Sequence, residues 1–214
     1  MSLTLYFHPL ASYCHKVLIA LYENDTAFEP RIVYLKQEAS RETFRKVWPM
    51  LRFPVLHDDA RGKTIPEFSI IIEYLAQHYP GAVKLLPDDP ESVLEVRLRD
   101  RFFDEYVHTP MQKIITDRLR PEGRHDEHGV EQARAQLRTA YGWLEQDLRG
   151  HEWAVGDGFT MADCAAAPPL FFANQVEPLD GHPQIAAYLL RLMQRPSYAR
   201  VLKDAEPYFH MVPK

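Results

Sequence analysis

The chain has 214 residues, 46% of them hydrophobic and 26% charged, with a formal net charge of −5. Those totals suit a folded globular protein with room for one or two hydrophobic cores. No block of basic residues offers a polyanion-binding patch and no apolar run is long enough to cross a bilayer, so neither nucleic acid nor membrane is expected as a partner. Residues Met1 to Leu5 show no basic stretch ahead of a long apolar run, which argues against a signal peptide. Cys14 and Cys164 belong to no CxxC pair and no zinc-like spacing. A reducing, cytoplasmic setting without a bound metal follows as the expectation.

The first eighty residues alternate between two hydrophobic periods. Leu3–Phe7 reads as a buried strand, and Pro9 marks a turn. Val17, Leu18, Ala20 and Leu21 give helical spacing from Tyr13 onward, with Ser12 as the N-cap. Arg31–Leu35 is a second strand. Ser40–Trp48 is a short polar helix capped by Ser40. Pro54–Asp58 and Lys63–Ile65 are strands joined by a tight turn, and Phe68–His78 is an apolar helix. The order β-α-β-α-β-β-α, with one parallel crossover and one hairpin, is the thioredoxin-like arrangement. Residues 80–90 are proline-rich and read as a linker, giving an N-terminal domain over 1–80, a linker over 81–90 and a second domain over 91–214. Beyond the linker only helical periods occur, so the second domain is expected to be all-helical. One stretch runs from Ser92 to Leu119 with a bend near Thr109-Pro110. Others cover Gly129–Leu148, Met161–Asn174, Gln184–Gln194 and Ser197–Ala205, and the very apolar Met161–Asn174 is expected at the centre.

The strongest local pattern is Gly156-Asp157-Gly158-Phe159-Thr160-Met161-Ala162-Asp163. Thr160 and Asp163 have capping-box spacing: the hydroxyl can accept from the amide three residues on, and Asp163 can reach back to the Thr160 amide. An acidic group in the first turn also suits the helix dipole. The pattern builds a buried helix; it carries no chemistry. Taken with the element order, with Arg52-Phe53-Pro54-Val55-Leu56 and with Pro66-Glu67, it makes the whole chain resemble the cytosolic glutathione transferases, of the bacterial serine- or cysteine-type branches.

That resemblance implies glutathione as co-substrate and a homodimer. It implies a cis bond before Pro54, leaving the main chain of Phe53 free to pair with the cysteinyl part of glutathione. It gives Glu67 the γ-glutamyl ammonium and the amide of Phe68, at the helix start, its carboxylate. The serine that usually follows the acidic residue is replaced by Phe68, with Ser69 one place later. Arg52 matches a cation near the glycyl end; Trp48 and Lys36 could share that rim.

Conjugation also needs a thiolate, stabilised by a donor near the start of the first helix. Family members of the serine type read approximately S-P-x-S-x-K-V there; this chain reads Ala11-Ser12-Tyr13-Cys14-His15-Lys16-Val17. The usual serine falls on Ala11. Ser12, one place later, is either the donor or a plain N-cap. Cys14 is either a thiol activated in the first turn, suited to a glutathione-dependent disulfide reductase or isomerase, or a small core residue. Tyr6 reads as packing, and His15 as exposed beside Lys16. The His125-Asp126-His128 run in a polar loop is not taken as a metal site. Phe102, Tyr106 and Met111 head a group, with Phe103, Val107 and Ile114, that could face an apolar electrophile. Three functions thus stand: conjugation of the glutathione thiolate to an apolar electrophile, Cys14-dependent reduction or isomerisation, and non-catalytic ligand binding on the same fold.

Overall fold

A computed structural model describes residues 2–213 of the chain. Strand β1 (Leu3–Phe7) alternates buried and half-buried side chains. This period of two sends Leu3, Leu5 and Phe7 to one face of the sheet and Tyr6 to the other. Helix α1 (Ser12–Glu23) leads to β2 (Glu29–Ile32), parallel to β1. Helix α2 (Glu38–Val47) leads to β3 (Val55–Asp58), antiparallel to β1, which turns into β4 (Lys63–Pro66) ahead of α3 (Phe68–His78). The sheet order β2-β1-β3-β4 completes the thioredoxin-like unit. One face packs Leu3, Leu5 and Leu56 with α1 and α3, while the other packs Tyr6 and Val55 against Phe44 of α2. Pro30, which cannot donate to a ladder, is tolerated because β2 is an edge strand.

Two capping expectations are corrected. α2 begins at Glu38 with Gln37 as N-cap, because the Ser40 hydroxyl is taken by the preceding loop, accepting from the Tyr34 amide at 2.9 Å. Ser12 is the first helical residue of α1, with Ala11 at the cap and no side-chain capping bond. The second strand also starts earlier than Arg31; its pairing with β1 closes at Val33, whose amide donates to the Phe7 carbonyl at 2.8 Å.

The remainder of the chain is all-helical. α4 (Pro90–Phe102) starts on Asp89, whose carboxylate accepts from the Ser92 amide at 2.8 Å. It continues through a π-helical segment, Phe103–His108, into α5 (Thr109–Asp117). Where a bend was expected at Thr109-Pro110, the helix instead widens just before it, so that the Thr109 amide donates to the Asp104 carbonyl five residues back. Pro110 has no amide proton and its ring crowds the preceding turn; one extra residue in the turn accommodates both. α6 (Glu127–Asp147), α7 (Met161–Ala173), α8 (Pro183–Gln194) and α9 (Pro196–Ala205) follow, and a 3-10 turn, Glu206–Met211, ends the chain's regular structure. No helix among the described residues is long and apolar enough to cross a membrane.

α7 is the core of this half. Apart from Phe171, its residues are all buried, and its alanines let α1, α4 and α8 pack closely. The capping box that starts it is complete. Asp163 is fully buried, accepting from the Thr160 amide and the Ala154 amide, both at 2.8 Å, and from the Tyr188 hydroxyl at 2.6 Å. Thr160 accepts from the Ala162 amide at 3.3 Å, one residue nearer than the spacing implied. One carboxylate thus ties the 154 loop, the start of α7 and α8 together.

A second buried polar cluster joins the two halves of the chain. Lys16 of α1 is only 1% exposed. Its Nζ lies 2.6 Å from Asp100 Oδ1 and 2.9 Å from Asp104 Oδ2, and donates to Ser69 Oγ at 3.0 Å. Ser69 donates to Asp100 at 2.8 Å, and Arg101 closes the cluster from the solvent side on Ser69 and both carboxylates. Two cations face two carboxylates, so the charges balance where water is absent. His15, expected to be exposed, is fully buried instead. Its Nε2 is 2.5 Å from the Pro9 carbonyl and its ring lies against Phe172 and Tyr198, because α1 is covered by α7 and α9 on the face opposite the sheet.

Asp163→Ala removes the acceptor of four buried donors, the Ala154 and Thr160 amides and the Thr160 and Tyr188 hydroxyls, and is expected to lower stability by about 3 kcal/mol or more in urea denaturation, with Asp163→Asn losing less. Lys16→Met strands two carboxylates and is expected to cost about 3–5 kcal/mol, whereas a Lys16→Met, Asp100→Asn, Asp104→Leu triple variant recovers most of it.

Candidate active site

A cavity of about 630 Å³ opens between the thioredoxin-like unit and the helical half. Its first wall comes from three loop-to-element junctions: residues 8 and 10–13, where β1 gives way to α1; residues 48 and 51–54, ahead of β3; and Glu67-Phe68 at the start of α3. These junctions meet because β1 and β3 are hydrogen-bonded neighbours and α1 and α3 cover the same face of the sheet. The second wall is α5, with His108 before it, Phe172 of α7, and the tail residues Met211, Val212 and Pro213.

On the first wall the Phe53–Pro54 bond is cis, as the resemblance implied. Glu67 is the N-cap of α3 but makes no side-chain capping bond, so its carboxylate is not consumed by its own helix. Its φ is 69°, in the left-handed region that costs a non-glycine residue roughly 1–3 kcal/mol. The early amides of α1 and α3 are unused within their own helices and converge on this wall, a setting that favours negative charge.

Ser12 is 6% exposed, and its Oγ is buried without a hydrogen-bond partner among the described residues. An unpartnered hydroxyl in the first turn of a helix that lines a cavity is a donor waiting for an acceptor. Two histidines also line the cavity. The His8 Nδ1 accepts from the Leu10 amide at 3.2 Å, which leaves its proton on Nε2, and burial lowers its pKa. Burial, and then the Lys16 charge, bring the pKa of His108 down to about 4, so this imidazole is neutral at physiological pH. Tyr13 is sandwiched between Phe68, with centroids 3.8 Å apart, and His108, at 3.9 Å. The stack stands beside the Lys16 cluster, whose Nζ is 4.6 Å from the Phe68 ring centre.

Of the site residues expected from sequence, Ser12, Arg52, Phe53, Pro54, Glu67, Phe68 and Met111 line the cavity. Cys14 lies elsewhere. It is fully buried among core side chains, and burial pushes its thiol well up. The Ser69 hydroxyl belongs to the Lys16 cluster behind the wall. Phe102 packs against Trp143 and Tyr106, and Tyr106 is 61% exposed, both on the outer side of their helix. On the rim, Trp48 lines the cavity while Lys36 is exposed away from it. Tyr6 packs on Phe44. His125 is hydrogen-bonded to Asp117, and Asp126 caps α6. Sequence reasoning missed His8, Tyr13, His108, Gln112 and the tail. The i, i+4 spacing of His108, Gln112 and Thr116 was a readable signal; the contribution of residues 211–213 was not, since no local pattern marks it.

Comparison with known proteins agrees with this geometry. Residues 5–83 match the family model for the glutathione S-transferase N-terminal domain and residues 127–191 that for the glutathione S-transferase C-terminal domain. The chain is 30% identical to the glutathione S-transferase GstA of Escherichia coli O157:H7 over 66% of this chain and 67% of that one. It is 26% identical to a probable maleylacetoacetate isomerase of Vibrio cholerae, covering 97% of this chain and 98% of that one. Among solved structures, a glutathione S-transferase of Methylobacterium radiotolerans in complex with glutathione sulfonate superposes with a TM-score of 0.82 at 27% identity, covering 94% of both chains. A two-part match, a relative matched over two thirds of its length and a fold shared almost end to end place this chain in the glutathione S-transferase superfamily.

Proposed function

We propose that the cavity binds glutathione along its first wall and joins the glutathione thiolate to an apolar electrophile held against α5. The Ser12 hydroxyl carries the reading: it is buried, unpartnered, placed on the cavity, and set at the positive end of α1. There it donates to the thiolate and lowers the thiol pKa, so that the nucleophile forms at neutral pH. The main chain of Phe53 before cis-Pro54 pairs with the cysteinyl unit. The free carboxylate of Glu67 faces the γ-glutamyl ammonium, and the Phe68 amide takes the γ-glutamyl carboxylate. Arg52 faces the glycyl carboxylate. Ser69 acts from behind, holding the first turn of α3 through the Lys16 cluster. The ligand of the Methylobacterium relative is a glutathione derivative, in keeping with this placement.

The Cys14-dependent reading is disfavoured, because a thiol enclosed in the core presents no thiolate to a disulfide. Isomerisation remains a second reading on the strength of the Vibrio cholerae relative's name. It would use the same Ser12-bound thiolate, adding to a conjugated double bond and leaving again after rotation, with glutathione returned unchanged. We further propose a cytoplasmic homodimer. Leu94, Leu98, Phe102 and Tyr106 recur every fourth residue along α4 and the π-helical segment, and with Trp143 they leave a contiguous apolar stripe exposed.

Calorimetric titration is expected to show glutathione binding; no binding at millimolar glutathione would refute the reading. Ser12→Ala is expected to lower conjugation at neutral pH roughly 10–100-fold and to move the pH–rate inflection up by about 1–2 units. An unshifted inflection removes Ser12 from the donor position, and loss of activity in Cys14→Ser alone would reinstate the thiol reading. Glutathione consumed mole for mole marks conjugation, while glutathione returned marks isomerisation. In sedimentation velocity the wild type is expected to run as a dimer and Leu98→Glu as a monomer.

A further inference from the structure

The Ser12 hydroxyl is not the only buried polar atom on its side of α1 to lack a partner. Among the described residues, Ser12 Oγ, His15 Nδ1 and the Tyr198 hydroxyl are all enclosed and all without a hydrogen bond. Their residues are 6%, 0% and 1% exposed. Ser12 and His15 are three residues apart on α1 and so share one face of it, with about 5–6 Å between Cβ atoms. Helical side chains lean toward the N-terminus, and the His15 ring leans far enough to bond the Pro9 carbonyl, alongside the turn that carries Ser12. Tyr198 of α9 packs on that ring, with centroids 6.2 Å apart and planes at 63°. Phe172 of α7, a cavity-lining residue, packs on it at 5.8 Å, whereas His15 itself is not among the lining residues.

The three atoms differ in what they require. The Pro9 carbonyl can only accept, so the imidazole proton sits on Nε2 and Nδ1 presents a lone pair. Burial brings the pKa of this ring down to about 4, against an opposing pull from the Pro9 carbonyl, so it stays neutral at physiological pH. Tyr198 offers a proton that nothing accepts, and burial holds its phenol well above the usual range, so the proton is retained. Ser12 offers one proton and its lone pairs. None of the three bonds another. Buried polar atoms in such a position are normally satisfied by ordered water, which needs two to four polar partners. One water matches these three: it accepts from Tyr198 and donates to His15 Nδ1 and to Ser12 Oγ.

We infer that a single buried water joins Ser12, His15 and Tyr198, and that His15 is a positioning residue which, through this water, turns the Ser12 proton toward the glutathione sulfur. The inference rests on the glutathione reading of the first wall. With the water donating to Oγ, the lone pair of the hydroxyl is occupied on the His15 side, and its own proton is directed away from that side. A donor whose direction is fixed before the thiolate forms needs no reorientation when it does. The bonds from Tyr198 to water, from water to Ser12 and from Ser12 to sulfur all run in one sense, so each strengthens the next. His15 touches no substrate; it anchors the water.

High-resolution crystallography of the wild type is expected to show a water within hydrogen-bond distance of all three atoms. A direct Ser12–His15 bond, or no water between the three, overturns the site whether or not glutathione binds. Calorimetry with glutathione reads the first wall separately, and no binding by the wild type overturns that reading alone. For the positioning role, Tyr198→Phe removes only the hydroxyl, while His15→Gln keeps a donor for Pro9 and loses the Nδ1 acceptor. Each is expected to lower kcat/KM for conjugation at neutral pH about 3–10-fold and to raise the pH–rate inflection by about 0.5–1 unit. His15→Asn, which returns an acceptor near the Nδ1 position, is expected to recover most of the loss. In a Ser12→Ala background, Tyr198→Phe and His15→Gln are expected to cause no further loss. Equal losses in both backgrounds, or an unmoved inflection, reduce these residues to a structural role and overturn the assignment to His15.

Discussion

The buried Lys16 cluster is the constraint on which the cavity depends. A lysine ammonium with almost no solvent contact is stable only if its lost hydration is replaced by fixed charge and hydrogen bonds. Asp100, Asp104 and Ser69 supply that replacement, and they come from the other half of the chain and from the start of α3. The relative position of α1, α3 and the π-helical segment is therefore set by oriented polar contacts, which tolerate little displacement, and not by apolar packing alone. Ser12, Tyr13, Phe68 and His108 stand within one helical turn of members of this cluster in sequence. The cluster aligns the two walls of the cavity to one another. It also contributes to the neutrality of His108, since the Lys16 charge opposes a second positive charge nearby.

The two walls do different physical work. The first is built from helix starts and a cis-proline junction, where main-chain groups are left unpaired and a charged, extended, peptide-like ligand can be met by backbone. The second is a side-chain surface made of α5, His108 before it, Phe172 of α7 and the tail, where apolar and neutral polar groups mix. Main-chain groups present the same donors and acceptors whatever the side chain, so Ala11 and Phe68 leave those of that wall in place. The second wall, by contrast, offers side chains rather than main-chain groups, so what it can hold depends on their identity.

Much of the fold was legible in sequence because its determinants are local. The alternation in Leu3–Phe7, the apolar spacing of Phe68–His78 and the Thr160–Asp163 box each specify an element within a few residues, and all three recur in the structure at or near the expected bounds. Errors arose where a side chain had two local uses and tertiary contacts chose between them. Ser40 and Ser12 both looked like caps; one hydroxyl is used by a loop amide and the other is buried without a partner among the described residues. His15 is polar in a helix and so read as solvent-facing, yet α7 and α9 cover it.

By itself the sequence determined the order of the elements and the capped central helix, because these follow from hydrogen-bond spacing and hydrophobic period, while the cis-proline junction was implied through the resemblance those elements carry. Only the tertiary structure decided which of two neighbouring groups faces the cavity. Ser12 and Cys14 are two residues apart on one helix, about 200° apart in rotation. Covering α1 on all sides but one encloses the Cys14 thiol in the core and leaves Ser12 among the residues that line the cavity, its hydroxyl without a partner among the described residues. That outcome depends on where α7 and the sheet lie, which no pattern within residues 11–17 encodes.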